Sequence, residues 1–314
     1  MNISETCNVI KSDIRCNLCP RNCNVDRANG QKGYCGLSGD GIYVARAALH
    51  MWEEECISGI EGSGTVFFSG CTLRCVYCQN YEIARNMVGR QITVERLAEI
   101  FLELQEKRAN NINLVTPTHY SDKIKQAVIA ARKNGLRLPI VYNCSGYEKV
   151  DTLKSLREIV DIYLTDFKYM DSKLAGEYSN APDYPNVVKE ALDEMVSQIG
   201  EPMFDNRGLM KSGVIVRHLI LPGHTKDSKE IVRYVHERYG EKVYISLMNQ
   251  YTPLERMKQD RLLYRRITER EYKKVVDYAI EIGVKNGFVQ EGETAKESFI
   301  PKFDYEGVLG DVDN

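Results

Sequence analysis

After residue 64 the chain alternates short apolar, β-branched runs with longer amphipathic ones, a pattern that few architectures satisfy. The runs are TVFFSG (65–70), NINLVTP (111–117), PIVYNCSG (139–146), IVDIYLTDFK (159–168), VIVRHLILP (214–222) and VYISLM (243–248). Each has the length and composition of a strand buried on both faces. Between them apolar residues recur at helical spacing: Val94, Leu97, Ala98, Phe101 and Leu104 behind Thr93 as N-cap, Ile124, Ala127, Val128 and Ala131 behind Ser121, and Val188, Ala191, Leu192, Met195 and Ile199 ahead of Gly200. A later run, Val275 to Ile282, opens with the capping-box spacing Thr268-Glu269-Arg270-Glu271. Strand and helix in turn, about six times over, describe a parallel α/β sheet, either doubly wound or curled into a barrel. Residues 1–62 stand outside the alternation and read as a separate cysteine-rich extension. Residues 63–250 then form the β/α unit, and residues 251–314 a helical C-terminal extension.

Charge selects no partner. The sequence sets 42 Lys and Arg against 44 Asp and Glu, with no block of five like charges, which argues against a non-specific nucleic-acid or anionic-membrane binder. No apolar run reaches the roughly 18 residues of a membrane span, and MNISETCNVIKSDIRC lacks the charged-then-apolar plan of a signal peptide. The expectation is a cytoplasmic protein with neither nucleic acid nor membrane as partner. Its ten cysteines would then stay reduced, and clustered ones point to metal or catalysis rather than to disulfides.

Seven of the ten lie in two clusters. In SGCTLRCVYCQN, Cys71, Cys75 and Cys78 close the first strand at C-x3-C-x2-C spacing. A structural zinc takes four protein ligands, and the nearest spare thiol, Cys56, precedes the strand and would have to fold back. A four-iron cluster held by three thiolates keeps one iron open for a substrate or cofactor. In CNLCPRNCNVDRANGQKGYCG, Cys16, Cys19, Cys23 and Cys35 sit among glycines with no periodic apolar pattern. Such a segment is too poor in core to fold unaided, and a bound metal centre, zinc or a second [4Fe-4S] cluster, would supply the missing stability.

The first motif, with Tyr77 just before its last cysteine and its place at the end of the first strand, resembles that of the radical S-adenosylmethionine (SAM) superfamily. The resemblance implies a partial (β/α)6 parallel barrel and a [4Fe-4S] cluster on Cys71, Cys75 and Cys78. It also implies that SAM is chelated at the open iron and cleaved reductively to a 5′-deoxyadenosyl radical that abstracts hydrogen. NCSGYEKV, DIYLTDFKYMD and VIVRHLILPGHTKD, in that order at the next strand ends, resemble pyruvate formate-lyase activating enzymes and their uncharacterised relatives over roughly residues 63–250. On that resemblance Lys168 and Arg217 meet the cofactor's carboxylate or ribose, with Asp166 close by. Asn143 and Ser145, standing where the activating enzymes read Asp-Thr-Asn-Gly, belong to the same site. A zwitterionic ligand does need a cation for its carboxylate and acceptors for its hydroxyls. The resemblance further implies a reductant such as flavodoxin or ferredoxin and, as partner, a glycyl radical enzyme. Direct modification of a small molecule or peptide, with the N-terminal cluster as auxiliary centre, is the alternative.

Departures from the activating enzymes bear on the substrate pocket. Where those carry Gly-Gly-Glu after the second strand, Val115-Thr116-Pro117-Thr118-His119-Tyr120 supplies no glutamate, leaving Thr116, Thr118 or the carbonyls around Pro117 to accept from the methionine amino group. After the sixth strand Asn249 or Gln250 replaces a histidine and can hydrogen-bond ribose or adenine. His119 is the candidate proton donor or acceptor. His218 alternates with Arg217 and should point away from the site. Trp52, the one tryptophan, stands among Glu53, Glu54 and Glu55 and reads as a surface or interface residue.

Overall fold

The computed structural model describes residues 15–39, 41–290 and 301–310. Strand β1 (Ile42–His50) and the short helix α1 (Glu55–Ser58) lead into β2 (Ser63–Phe68), α2 (Tyr81–Arg85), β3 (Arg90–Ile92) and α3 (Val94–Glu106). The chain continues through β4 (Ile112–Val115), α4 (Ser121–Lys133), β5 (Ile140–Cys144), α5 (Val150–Ser155), β6 (Ile162–Asp166), α6 (Ser172–Ser179) and α7 (Tyr184–Ile199). Then follow β7 (Met203–Phe204), β8 (Met210–Leu219), α8 (Thr225–Tyr239), β9 (Tyr244–Met248), α9 (Glu269–Glu281) and β10 (Gly287–Val289).

The strand order is β10-β9-β8-β6-β5-β4-β2-β1-β3, with β7 branching from β8. From β2 through β4, β5, β6, β8 and β9 to β10 every neighbouring pair is parallel. The sheet ends at β10 and β3 without closing, so the fold is a partial parallel barrel. The six strands expected from sequence are β2, β4, β5, β6, β8 and β9. The first three are buried at every residue, as two-sided packing requires. Thr93 caps α3 by accepting from Arg96 N, and Thr268 and Glu271 form the expected capping box on α9. Ser121 does not cap α4: a 3-10 turn over Thr118–Tyr120 precedes it, and Ser121 is itself the first, buried residue of the helix.

Both terminal extensions differ from expectation by joining the barrel. Residues 42–50 pair antiparallel with β2, covering an edge that would otherwise expose unpaired backbone next to the thiol loop. At the other end β10 adds parallel to β9, and the C-terminal segment bonds back to β1 through Tyr305 N to Ala45 O and Ala47 N to Glu306 O. Among the described residues no helix is long and apolar enough to cross a membrane.

Candidate functional site

Beyond Phe68 the chain turns through Gly70, at φ +88°, into the loop that carries Cys71, Cys75 and Cys78. A Cβ on Gly70 would lie 2.9 Å from both the Cys35 carbonyl oxygen and His119 Nε2, so glycine is required there. All three thiols are free. Burial, then the neighbouring Cys71 and Cys75, push the Cys78 thiol up to about 12, and burial with Cys75 raises Cys71 as well. Donors face the sulfurs. Leu73 N and Arg74 N approach Cys71 Sγ at 3.4 Å, and the Ser179 hydroxyl donates to Cys75 Sγ at 3.0 Å. Tyr169 holds that hydroxyl at 2.7 Å while donating to the Tyr77 oxygen, also at 2.7 Å.

Cys75, Tyr77 and Cys78 border a cavity of about 1030 Å3, from which Cys71 is set back. The parallel register of β6 and β8 puts Asp166 beside Arg217 across it. Lys168 Nζ stands 2.6 Å from Asp166 Oδ2, and Arg217 Nε 3.5 Å from Asp166 Oδ1. Burial alone would lift the Asp166 carboxyl; Lys168 and Arg217 outweigh it and hold the group below the usual carboxylate range. Burial alone would lower Lys168, but the Asp166 carboxylate reverses the shift and keeps the ammonium charged.

The floor of the cavity comes from residues that sequence alone leaves at the surface. Because β1 is antiparallel to β2, with His50 opposite Ser63, it ends away from the thiol loop, and residues 50–55 turn into the barrel from that end. The Glu53 side chain is only 8% exposed. Its Oε2 accepts from Arg217 Nη1 at 2.9 Å, and its Oε1 accepts from Asn113 Nδ2 at 2.9 Å and Asn143 Nδ2 at 3.4 Å. Arg217 Nη2 donates to Asn143 Oδ1 at 2.6 Å, which closes the ring. Next to it, burial raises the Glu54 carboxyl against the pull of Arg217. Three successive glutamates look like a solvated stretch, and nothing local in HMWEEE marks two of them as buried.

Of the residues singled out in the sequence, Cys75, Cys78, Asn143, Asp166, Lys168, Arg217 and Gln250 line the cavity. Asn249 does not; its backbone N–H bonds Gln290 and its Oδ1 is buried without a partner. Ser145 sits in the turn after β5, with its hydroxyl 3.4 Å from Tyr147 N. Thr116 lies one residue beyond the cavity wall at φ +61°, and Thr118 donates to Glu148 at 2.7 Å. His119 requires a correction. The 3-10 turn folds it beneath the thiol loop, where Nε2 donates to Ser69 O at 2.8 Å and burial lowers its pKa to about 4, so it does not reach the cavity. His218 points away as expected, bonded to Phe167 O at 2.7 Å and Ser228 Oγ at 2.8 Å. Trp52, 57% exposed, lines the cavity beside Glu53.

These residues suit the groups that the motif implies. Buried thiols that oppose one another's ionisation are stabilised as thiolates by a cationic iron centre. The adjoining cavity lies at the upper end of the range for small-molecule sites, with an ammonium and a guanidinium to meet a carboxylate and with Asp166 to accept from hydroxyls. Residues 65–235, from β2 into α8, match the Radical SAM superfamily. The chain belongs to that superfamily. An uncharacterised protein of Methanocaldococcus jannaschii is 28% identical over 276 residues, covering 84% of this chain and 74% of that protein. The pyruvate formate-lyase-activating enzyme of Staphylococcus aureus is 21% identical over 197 residues, 59% of this chain and 73% of the enzyme. Among solved structures, SuiB of Streptococcus suis bound to S-adenosylmethionine superposes with a TM-score of 0.48 at 16% identity, over 72% of this chain and 49% of SuiB.

Proposed function

We propose that this radical SAM enzyme holds a [4Fe-4S] cluster on Cys71, Cys75 and Cys78, binds SAM in the adjoining cavity, and abstracts hydrogen from a protein partner, as an activating enzyme of a glycyl radical enzyme. The observation that carries the reading is the convergence of the thiol loop and the Asp166, Lys168 and Arg217 side chains on one cavity. When bound, the cluster supplies the electron that splits a carbon–sulfur bond of SAM into methionine and a 5′-deoxyadenosyl radical. The protein's own part is positioning. Lys168 and Arg217 present fixed cations to the cofactor's carboxylate or ribose, Asp166 orients Lys168, and Glu53 with Asn143 fixes the plane of the Arg217 guanidinium. Phe67, Val115, Leu219 and Met248 supply apolar wall that keeps water from the reacting atoms.

The likeness to the Staphylococcus aureus enzyme supports a protein substrate. The electron donor on this reading is a flavodoxin or ferredoxin. Direct action on a small molecule or peptide is the second reading, favoured by the chain after β4, which offers Thr116, Pro117 and Thr118 and no glutamate. Protein reconstituted anaerobically with iron and sulfide should convert SAM to 5′-deoxyadenosine and methionine under a strong reductant, and Cys75→Ala should abolish this. Undiminished cleavage in that variant would sink the cofactor assignment. A glycyl radical signal in an added partner enzyme, seen by electron paramagnetic resonance, separates the first reading from the second.

A further inference from the structure

Cys16, Cys19, Cys23 and Cys35 line no part of the cavity; they lie behind the loop that carries Cys71. The Cys35 carbonyl oxygen fills the space that a Gly70 Cβ would need, 2.9 Å from it, and Gly70 precedes Cys71. Arg21, its guanidinium 3.9 Å from the centroid of the Tyr34 ring, donates to Thr72 O at 2.8 Å and to Ser179 O at 2.9 Å. Thr72 follows Cys71, and the Ser179 hydroxyl is the one that donates to Cys75 Sγ. Arg74 Nη1 returns the contact by donating to Tyr34 O at 3.0 Å. The two thiol sets are therefore joined by directly packed backbone and by two arginines, Arg21 and Arg74.

Within the N-terminal set, Cys35 Sγ and Cys23 Sγ flank Gly33, 3.5 and 3.8 Å from where its Cβ would be. Cys16 and Cys19 belong to the same tight loop, with Cys16 N donating to Val25 O, Asn24 N to Cys16 O and Asn22 N to Cys19 O. Tyr34 N and Arg27 Nη2 donate to Cys23 Sγ and Cys35 Sγ, each at 3.3 Å, as donors do around iron–sulfur thiolates. A centre on these four thiols would stand directly against the loop of Cys71, where an iron–sulfur cluster could exchange electrons with its neighbour and a redox-inert zinc could not.

We infer that Cys16, Cys19, Cys23 and Cys35 hold a second [4Fe-4S] cluster that accepts one electron from a low-potential protein reductant and passes it to the cluster on Cys71, Cys75 and Cys78. No bond forms or breaks. The donor is oxidised by one electron, and the N-terminal cluster is reduced and then reoxidised as its neighbour is reduced. A substrate-binding role would require the four cysteines to face the cavity, which they do not. The inference rests on the three-thiol reading above, and its test is separable from it.

The full chain, purified anaerobically, should carry about eight irons rather than about four irons and one zinc. Exchanging both Cys19→Ala and Cys35→Ala should remove about half of the iron and keep SAM cleavage driven by dithionite. Cleavage driven by reduced flavodoxin should be lost. Two neighbouring paramagnetic clusters should broaden each other's resonances in the reduced wild type, and the variant should show one uncoupled signal. Should the double variant not fold, Cys16→Ser, which alters a half-buried ligand, gives the same resonance and donor comparison. Stoichiometric zinc, iron near four, or an unchanged flavodoxin-driven rate in the variants would overturn the relay. Failure of dithionite-driven cleavage in the wild type would instead count against the three-thiol reading and leave the iron count to judge this one.

Discussion

Lys168 and Arg217 face one cavity, yet they are held differently, and the difference sets what each substitution should do. Lys168 is a point charge with one carboxylate partner, whereas Arg217 engages Glu53, Asn143 and Asp166 through its three nitrogens. Lys168→Ala should weaken SAM binding by roughly 1.5–3 kcal/mol, or about tenfold to a hundredfold in Kd, in anaerobic equilibrium dialysis. Arg217→Lys should lose nearly as much despite keeping its charge, because an ammonium cannot reproduce the fork; wild-type affinity in both variants would return the pair to a structural role. Ser179 acts through Cys75. Removing a donor to a ligand sulfur disfavours the reduced, more negative cluster, so Ser179→Ala should lower the reduction potential of the cluster on Cys71, Cys75 and Cys78 in a redox titration. Glu148, buried against Thr118 and Tyr142, has its carboxyl lifted to about 8 by burial. The native state therefore binds more protons than the unfolded one between the ordinary value of 4.5 and about 8, and stability falls as pH rises through that window. Glu148→Gln should flatten that slope in urea titrations, and an unchanged slope would mean that the carboxyl ionises freely.

At the scale of elements, the central parallel strands are legible because each is a short, uniformly buried apolar run, and their C-terminal ends could be ordered along the chain from the motifs they carry. β1 was not legible for a physical reason. IYVARAALH is rich in alanine, which favours helix over strand, and its strand state is imposed by long-range pairing with β2 and by Tyr305 and Glu306. Glu53 was hidden for the same cause, since its place under Arg217 depends on where β1 ends rather than on its neighbours in sequence. The turn after β4 shows the limit from the other side. Sequence marks Thr116 as the departure from Gly-Gly-Glu, but only the backbone reveals that this β-branched residue sits at φ +61°, a conformation that costs about 1–3 kcal/mol. Thr116→Gly should relieve that strain, offset by the roughly 0.5–1 kcal/mol of extra unfolded-state freedom of glycine, for a net gain near 1 kcal/mol. A raised urea midpoint with an unchanged slope is the expected outcome, and a lowered midpoint would show that the threonine side chain contributes more than its backbone costs.

For the whole molecule, the barrel and the N-terminal thiol segment differ in how much apolar core they bury. The main core runs from β1 through α9 and takes in only Cys35 and Leu37 of the thiol segment. Residues 15–39 bury few apolar side chains, chiefly Cys19, Cys35 and Leu37, and their own backbone bonds are few: Cys16 N to Val25 O, Asn24 N to Cys16 O, Gly33 N to Leu37 O and Gly36 N to Gly33 O among them. Side chains dock the segment on the barrel, with Lys149 Nζ donating to Asn17 Oδ1 at 2.7 Å and Thr152 Oγ1 to Leu18 O at 2.8 Å. Few polar contacts of this kind are worth much individually, so on the inference above the metal–thiolate bonds supply much of the segment's order, their binding energy being folding energy. Iron removal by a chelator under anaerobic conditions should therefore abolish hydrogen-exchange protection at Cys16, Asn24, Gly33 and Gly36 while β4, β5 and β6 stay protected, because the two regions open independently. The loss should reverse on reconstitution with iron and sulfide. Protection that survives complete metal removal would show that the segment is organised by its docking contacts, and that its four thiols are not needed to hold it in place.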